Sequence, residues 1–328
     1  MSDQISQLRE EIFALKQSRN AMIFAHNYQR DEVQAIADFT GDSLELARSA
    51  RSVECEIIVL CGVFFMAESA SIISPDKTVL LPEPDAGCPM AEMIEVNETR
   101  RVWKTFPGYD KQPSFIFPHE FSLRDIKKNN PGVPVVAYVN TSAAVKAESD
   151  ICCTSANVVE IIESLSSDSV ICVPDRNLAM WAQKNTRKRI IAWDGFCHVH
   201  DRVTVEDVMR ARMDYPDALL MAHPECRMEV LELADQVTST SGMLRYVQSS
   251  GAGEFIVGTE LGLFYSLRKE NPDKIFHPLR KDMICPNMKK TTLGSIVNAL
   301  KNMELVVTVP EEIRASAKIA LDRMIGAD

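Results

Sequence analysis

Nine cysteines, at positions 55, 61, 88, 152, 153, 172, 197, 226 and 285, are the first residues whose type suggests chemistry. No two are spaced as Cys-x-x-Cys, which excludes a zinc ribbon or a ferredoxin-type run. The count is odd, and Met1-Ser2-Asp3-Gln4-Ile5 carries neither a basic nor an apolar signal region. Free thiols in a reducing, cytoplasmic setting are therefore expected rather than disulfides. Cys88-Pro89 and Cys285-Pro286 share a Cys-Pro step, and Cys197 sits in Gly195-Phe196-Cys197-His198-Val199-His200. These three cysteines recur in phase with other polar groups. His26 and Ser43, Tyr138 and Ser155, and His223 and Thr240 are each 17 residues apart. Cys88, Cys197 and Cys285 follow those hydroxyls by 45, 42 and 45 residues. The other six cysteines lie in apolar or helix-like stretches and read as core thiols.

Three thiolates brought together select zinc, copper(I) or an iron–sulfur cluster. Structural zinc takes four protein ligands, so three cysteines leave one position short. That suits a [4Fe-4S] cluster with one open iron, which could polarise a substrate oxygen as a Lewis acid. A Cys3His zinc site completed by His198 or His200 is the competing metal reading.

Such residues need a scaffold that gathers distant segments. Short apolar runs recur at 21–25, 57–60, 78–81, 133–139, 170–173, 190–193, 218–222 and 255–257. Helix-like stretches separate them, beginning with 4–18. Buried parallel strands with helical crossovers are expected, an α/β class. The in-phase groups suggest three copies of one unit. Ligands collect at the carboxyl ends of parallel strands, so a pseudo-threefold arrangement would point all three sets at one centre.

At these residues the chain resembles the quinolinate synthase family, the iron–sulfur enzymes of de novo NAD biosynthesis. The resemblance spans nearly the whole chain. It rests on nine short segments in the family's order: 25–29 (AHNYQ), 41–44 (GDSL), 65–68 (FMAE), 88–91 (CPMA), 138–142 (YVNTS), 153–157 (CTSAN), 174–178 (PDRNL), 223–226 (HPEC) and 285–289 (CPNMK). It implies three pseudo-symmetric, Rossmann-like α/β domains with parallel sheets around a central [4Fe-4S] cluster held by Cys88, Cys197 and Cys285. The expected divisions are 1–110, 111–202 and 203–304, followed by a C-terminal helix over 305–328. It also implies the reaction, in which iminoaspartate condenses with dihydroxyacetone phosphate to give quinolinate, phosphate and two waters. An aspartate-oxidising or aspartate-dehydrogenating enzyme would supply the unstable imine.

Both substrates are anionic, while the chain has a net charge of -10. Hydroxyls and N–H groups at helix starts bind anions without adding charge, and Ser43, Ser155 and Thr240 stand where such starts are expected. His26 and His223 are expected to donate to carboxylate or phosphate and to exchange a proton. Glu225 is the expected general base, and Tyr28 the acid in triose tautomerisation. The strand end Tyr138-Val139-Asn140 is expected to bind a carboxylate. His200 and Lys289 stand near cysteine ligands and are expected to support them.

Some features depart from the family. Thr238 stands where the family has glycine. Residues 92–121 read as an insertion. Asp282 and Met288 flank Cys285 where some relatives carry further cysteines, so no disulfide is expected there. The net charge is a poor prior for nucleic acid or an anionic membrane, and no run of about 18 apolar residues spans a bilayer. Two other function classes remain open at this level: another iron–sulfur hydro-lyase, and a zinc-stabilised binding protein.

Overall fold

The structure, a computed structural model, describes residues 2–96 and 122–326. Residues 97–121, most of the expected insertion, lie outside the described part. Twelve strands are present among the described residues. The first four are β1 (Ala21–His26), β2 (Phe39–Gly41), β3 (Ile57–Cys61) and β4 (Thr78–Leu80). The next four are β5 (Val135–Tyr138), β6 (Ile151–Cys153), β7 (Ser169–Val173) and β8 (Arg189–Ala192). The last four are β9 (Leu219–Ala222), β10 (Gln236–Val237), β11 (Glu254–Gly258) and β12 (Ile275–Pro278). They form three four-stranded sheets, ordered β2-β1-β3-β4, β6-β5-β7-β8 and β10-β9-β11-β12. Every strand pairing within them is parallel.

The three sheets thus repeat one order, as the phased residues anticipated. Each apolar run in the sequence contains a strand, and the all-buried β3 shows why, since a parallel strand covered on both faces carries apolar residues throughout. The apolar pattern gave no sign of β2, β6, β10 and β12. The first three have only two or three residues each. The last is an edge strand ending in His277 and Pro278, a composition that hides a strand.

In each sheet the first and third strands are neighbours, and the chain leaves them in opposite directions. That switch point is where parallel sheets bind ligands. Helix starts face the same end. Asp42 caps the helix Ser43–Ser52, with Glu45 completing a capping box. Ser239 caps the helix Thr240–Ser249. Ser43 and Thr240 are therefore the first residues of their helices, and their neighbours do the capping. Ser155 precedes the helix Val158–Ser164.

The units are stapled to one another. The helix Leu293–Asn302 packs Ile296, Val297 and Leu300 against Ile23, Ile57 and Val59 of the first sheet. Val306 forms an antiparallel bridge to Leu80, and the helix Glu311–Ile325 then buries Ala317, Leu321 and Met324 in a core shared by the first two units. The start of the expected insertion is ordered too. Met93 accepts a hydrogen bond from Trp193 Nε1 at 2.9 Å, docking it on the second unit.

One close approach shapes the loop before Cys197. Gly195 bridges to Asp175, and a Cβ on Gly195 would collide with the Pro174 carbonyl oxygen. Gly195→Ala is expected to destabilise the fold by about 1–3 kcal/mol, as overpacking does. The check is the thermal midpoint of the metal-free chain. An unchanged midpoint would mean the loop has room to shift.

Candidate functional site

A cavity, about 780 Å³ with the open solvent at its mouth included, lies where the three units meet. His26, Tyr28, Ser43 and Cys88 line it from the first unit, Tyr138, Asn140, Ser155 and Cys197 from the second, and His223, Glu225, Thr240 and Cys285 from the third. Every residue expected at the site is thus present except Val139. Its backbone N–H goes to Cys153 O at 2.8 Å, and its side chain faces a small apolar pocket behind Ser43 and Phe65.

The nine cysteines divide by exposure. Cys88, Cys197 and Cys285 are partly exposed, and the other six are buried. Burial pushes the Cys88 thiol up to about 12 and the Cys285 thiol up to about 11, and raises Cys197 as well. Desolvation disfavours the lone thiolate, so three thiolates here require a positive partner.

The two expected histidines share one device. His26 Nδ1 accepts the Tyr28 N–H at 3.1 Å, and His223 Nδ1 accepts the Glu225 N–H at 3.4 Å. Each ring is thereby fixed with its proton on Nε2. His223 Nε2 then donates to Ser155 Oγ at 3.2 Å. Burial lowers His26 to about 4 and His223 to about 3, so both are neutral donors at pH 7. Among the described residues no lysine or arginine lines the cavity. What the described lining offers an anion is neutral donors, helix starts and whatever cation the cysteines carry.

A hydrogen-bond chain crosses the cavity wall. Tyr28 OH lies 2.6 Å from Thr259 Oγ1, which lies 2.9 Å from His200 Nε2. His200 Nδ1 lies 2.7 Å from Glu225 Oε2, and Glu225 Oε1 accepts from Tyr138 OH at 2.8 Å. Burial opposes the charge on Glu225. At low pH the charge of a protonated His223, and at any pH the hydrogen bonds from His200 and Tyr138, outweigh it and hold this carboxyl below the usual range. Burial also keeps Tyr28 and Tyr138 protonated. An ionised Glu225 fixes the direction of the chain. His200 Nδ1–H donates to Glu225, Nε2 accepts from Thr259, and Thr259 accepts from Tyr28.

Cys197, His200 and Glu225 also bring one donor atom each within 4.8 Å of one another, a group able to hold a metal ion. As found, His200 Nδ1 is committed to the carboxylate, so its lone pair is not offered to a metal. Thr259 and Glu260 are the residues that sequence reasoning missed. The signal was the polar pair directly after β11, at the position where the second unit has Pro174-Asp175 after β7.

The neutral histidines carry a pH prediction. Their folded pKa values lie below the ordinary 6.5, so the unfolded chain takes up protons first as pH falls. Their contribution is complete above about pH 6.5 and is lost as pH falls toward about 4 for His26 and 3 for His223. The urea midpoint of the metal-free chain is expected to drop between pH 7 and pH 4.5, and less so in His26→Gln. A flat profile would show that these rings are not buried neutral.

Among the described residues no helix is long and apolar enough to cross a membrane. The family model for quinolinate synthetase A protein matches residues 10–326. A quinolinate synthase of Thermodesulfovibrio yellowstonii is 54% identical over 317 residues, covering 96% of this chain and 97% of the relative. One of Methanoregula boonei is 51% identical, covering 98% and 99%, and one of Geobacter metallireducens is 51% identical, covering 98% of each. With these matches over nearly its full length, the chain belongs to the quinolinate synthetase A protein family.

Proposed function

We propose that this enzyme condenses iminoaspartate with dihydroxyacetone phosphate, releasing quinolinate, phosphate and two waters, at the cavity between the three units. The observation that carries the reading is convergence: twelve residues named from sequence, from three distant stretches, line one cavity. Cys88, Cys197 and Cys285 fit a [4Fe-4S] cluster, because they are three cysteines of partial exposure facing one space, where burial disfavours lone thiolates. When bound there, such a cluster with one open iron supplies a Lewis acid for substrate oxygen.

The residues supply the rest. His26 offers an Nε2–H donor, His223 holds the Ser155 hydroxyl in place, and Ser43, Ser155 and Thr240 offer hydroxyls at or just before helix starts, so the described lining binds carboxylate and phosphate through neutral donors. Asn140, beside Tyr138, adds an amide. Triose tautomerisation and dehydration need a proton moved at carbon and oxygen. Tyr28 O accepts it while its own proton passes to Thr259 and Thr259's to His200 Nε2. The resulting imidazolium lies against the Glu225 carboxylate, which orients and stabilises it as the acid does in a Ser-His-Asp triad. On this reading Glu225 acts through His200, and Tyr28 touches the substrate.

An aspartate-oxidising or aspartate-dehydrogenating enzyme in the same reducing, cytoplasmic compartment would supply the imine. The proposed divisions are 1–110, 111–202 and 203–304, the first boundary lying outside the described residues, with the C-terminal helix as a clasp. The test is anaerobic incubation with dihydroxyacetone phosphate, oxaloacetate and ammonia, with quinolinate read by chromatography. Quinolinate in step with phosphate release is expected. Dehydration of other hydroxy acids without a pyridine product would favour a hydro-lyase instead.

A further inference from the structure

Tyr28 is gripped at both ends by the third unit. Its hydroxyl meets Thr259 Oγ1, and its backbone carbonyl accepts a hydrogen bond from Lys289 Nζ. Lys289 pairs at 3.0 Å with Glu260, the residue next to Thr259. Glu260 is 0% exposed. Its oxygens also accept the Cys285 N–H at 3.0 Å and the Gly262 N–H at 2.6 Å. Gly262 permits this crowding, since a Cβ there would lie 2.7 Å from both Tyr28 Cα and Lys289 Nζ. Gln34, from the first unit, closes the seam by donating to Gly262 O at 2.9 Å and accepting from Ser266 at 3.1 Å.

A buried ion pair is a poor device for stability alone, because desolvation offsets the attraction. Here each oxygen of the carboxylate also receives a backbone N–H, and the ammonium reaches across the boundary between units. We propose that Glu260 and Lys289 form a positioning pair that sets Tyr28 and the Cys285 loop in one register. This rests on the reading of Tyr28 as the group that touches substrate and of Cys285 as a ligand. Loss of the pair leaves both residues in place but misaligned, so turnover suffers more than binding. A misplacement of about 1 Å can cost about 100-fold in rate.

The test compares Lys289→Met, Lys289→Arg, Glu260→Gln and the neutral double variant Glu260→Gln/Lys289→Met. In the full chain freed of metal, alkylation by iodoacetamide is followed at each cysteine by peptide mass mapping. The expected result is a shift of about tenfold in the Cys285 rate relative to Cys88 and Cys197, equivalent to about 1.4 kcal/mol. In the cluster-loaded enzyme, kcat is expected to fall by about 10- to 100-fold, with KM nearly unchanged. Lys289→Arg should recover part of both. The double variant removes any charge imbalance and should stay impaired. The proposal is overturned if the double variant matches wild type, or if all three cysteines change rate together. Failure of wild type to form quinolinate would refute the proposed function, while the alkylation ratio would still judge the pair.

Discussion

Replacing any one of Cys88, Cys197 and Cys285 by serine is expected to abolish both iron retention and quinolinate formation. Each thiol comes from a different unit, and no fourth cysteine is among the described residues lining the cavity. A hydroxyl in place of a soft sulfur removes a ligand outright. The loss should therefore exceed the about 10- to 100-fold typical of groups that only support a metal ligand. The controls are built in. Cys61 and Cys172 lie in strands, buried, with thiols raised by burial to values that favour a neutral group. Cys61→Ser and Cys172→Ser are expected to lower stability and leave iron per chain unchanged. Iron loss in the controls, or iron retained without Cys197, would contradict the assignment.

Glu225→Gln is expected to lower kcat by about 10³- to 10⁴-fold, in line with the loss when the acid of a Ser-His-Asp triad becomes an amide. The carboxylate accepts from both His200 Nδ1 and Tyr138 OH. A glutamine has one acceptor oxygen, and its amide nitrogen would face one of those donors. His200 would lose its fixed tautomer and Tyr138 its partner, reversing the direction of the chain to Tyr28. Absorption of the cluster should be unchanged, since Glu225 is not among the proposed ligands. Full activity with an intact cluster would remove Glu225 from the mechanism.

Much of this site was legible because chain spacing and spatial symmetry coincide. The 17-residue interval between strand end and hydroxyl reflects one local path in three units: first strand, short second strand, helix start. Ser43, Ser155 and Thr240 were therefore readable as one class of position, and the strand ends His26, Tyr138 and His223 as another. The Thr259 hydroxyl belongs to a different position, the end of the third strand. There the other two units carry Gly62 and Pro174, so no repeat announced it. The role of Glu225 was only half legible. Its type suggested a base, but its partners His200 and Tyr138 come from other stretches of chain, and only the fold shows that donors saturate it. Strands β2, β6 and β10 escaped because two or three residues cannot display a period. The packing of the helix Leu293–Asn302 on the first sheet was equally hidden, since its apolar face carries no information about which sheet it covers.

The most direct test of the central claim is the iron, acid-labile sulfide and zinc content of the protein purified without oxygen. About four irons and four sulfides per chain are expected, as one [4Fe-4S] cluster requires, with no stoichiometric zinc. Zinc without sulfide, from cells able to assemble clusters, would contradict it and turn the three cysteines into a structural site.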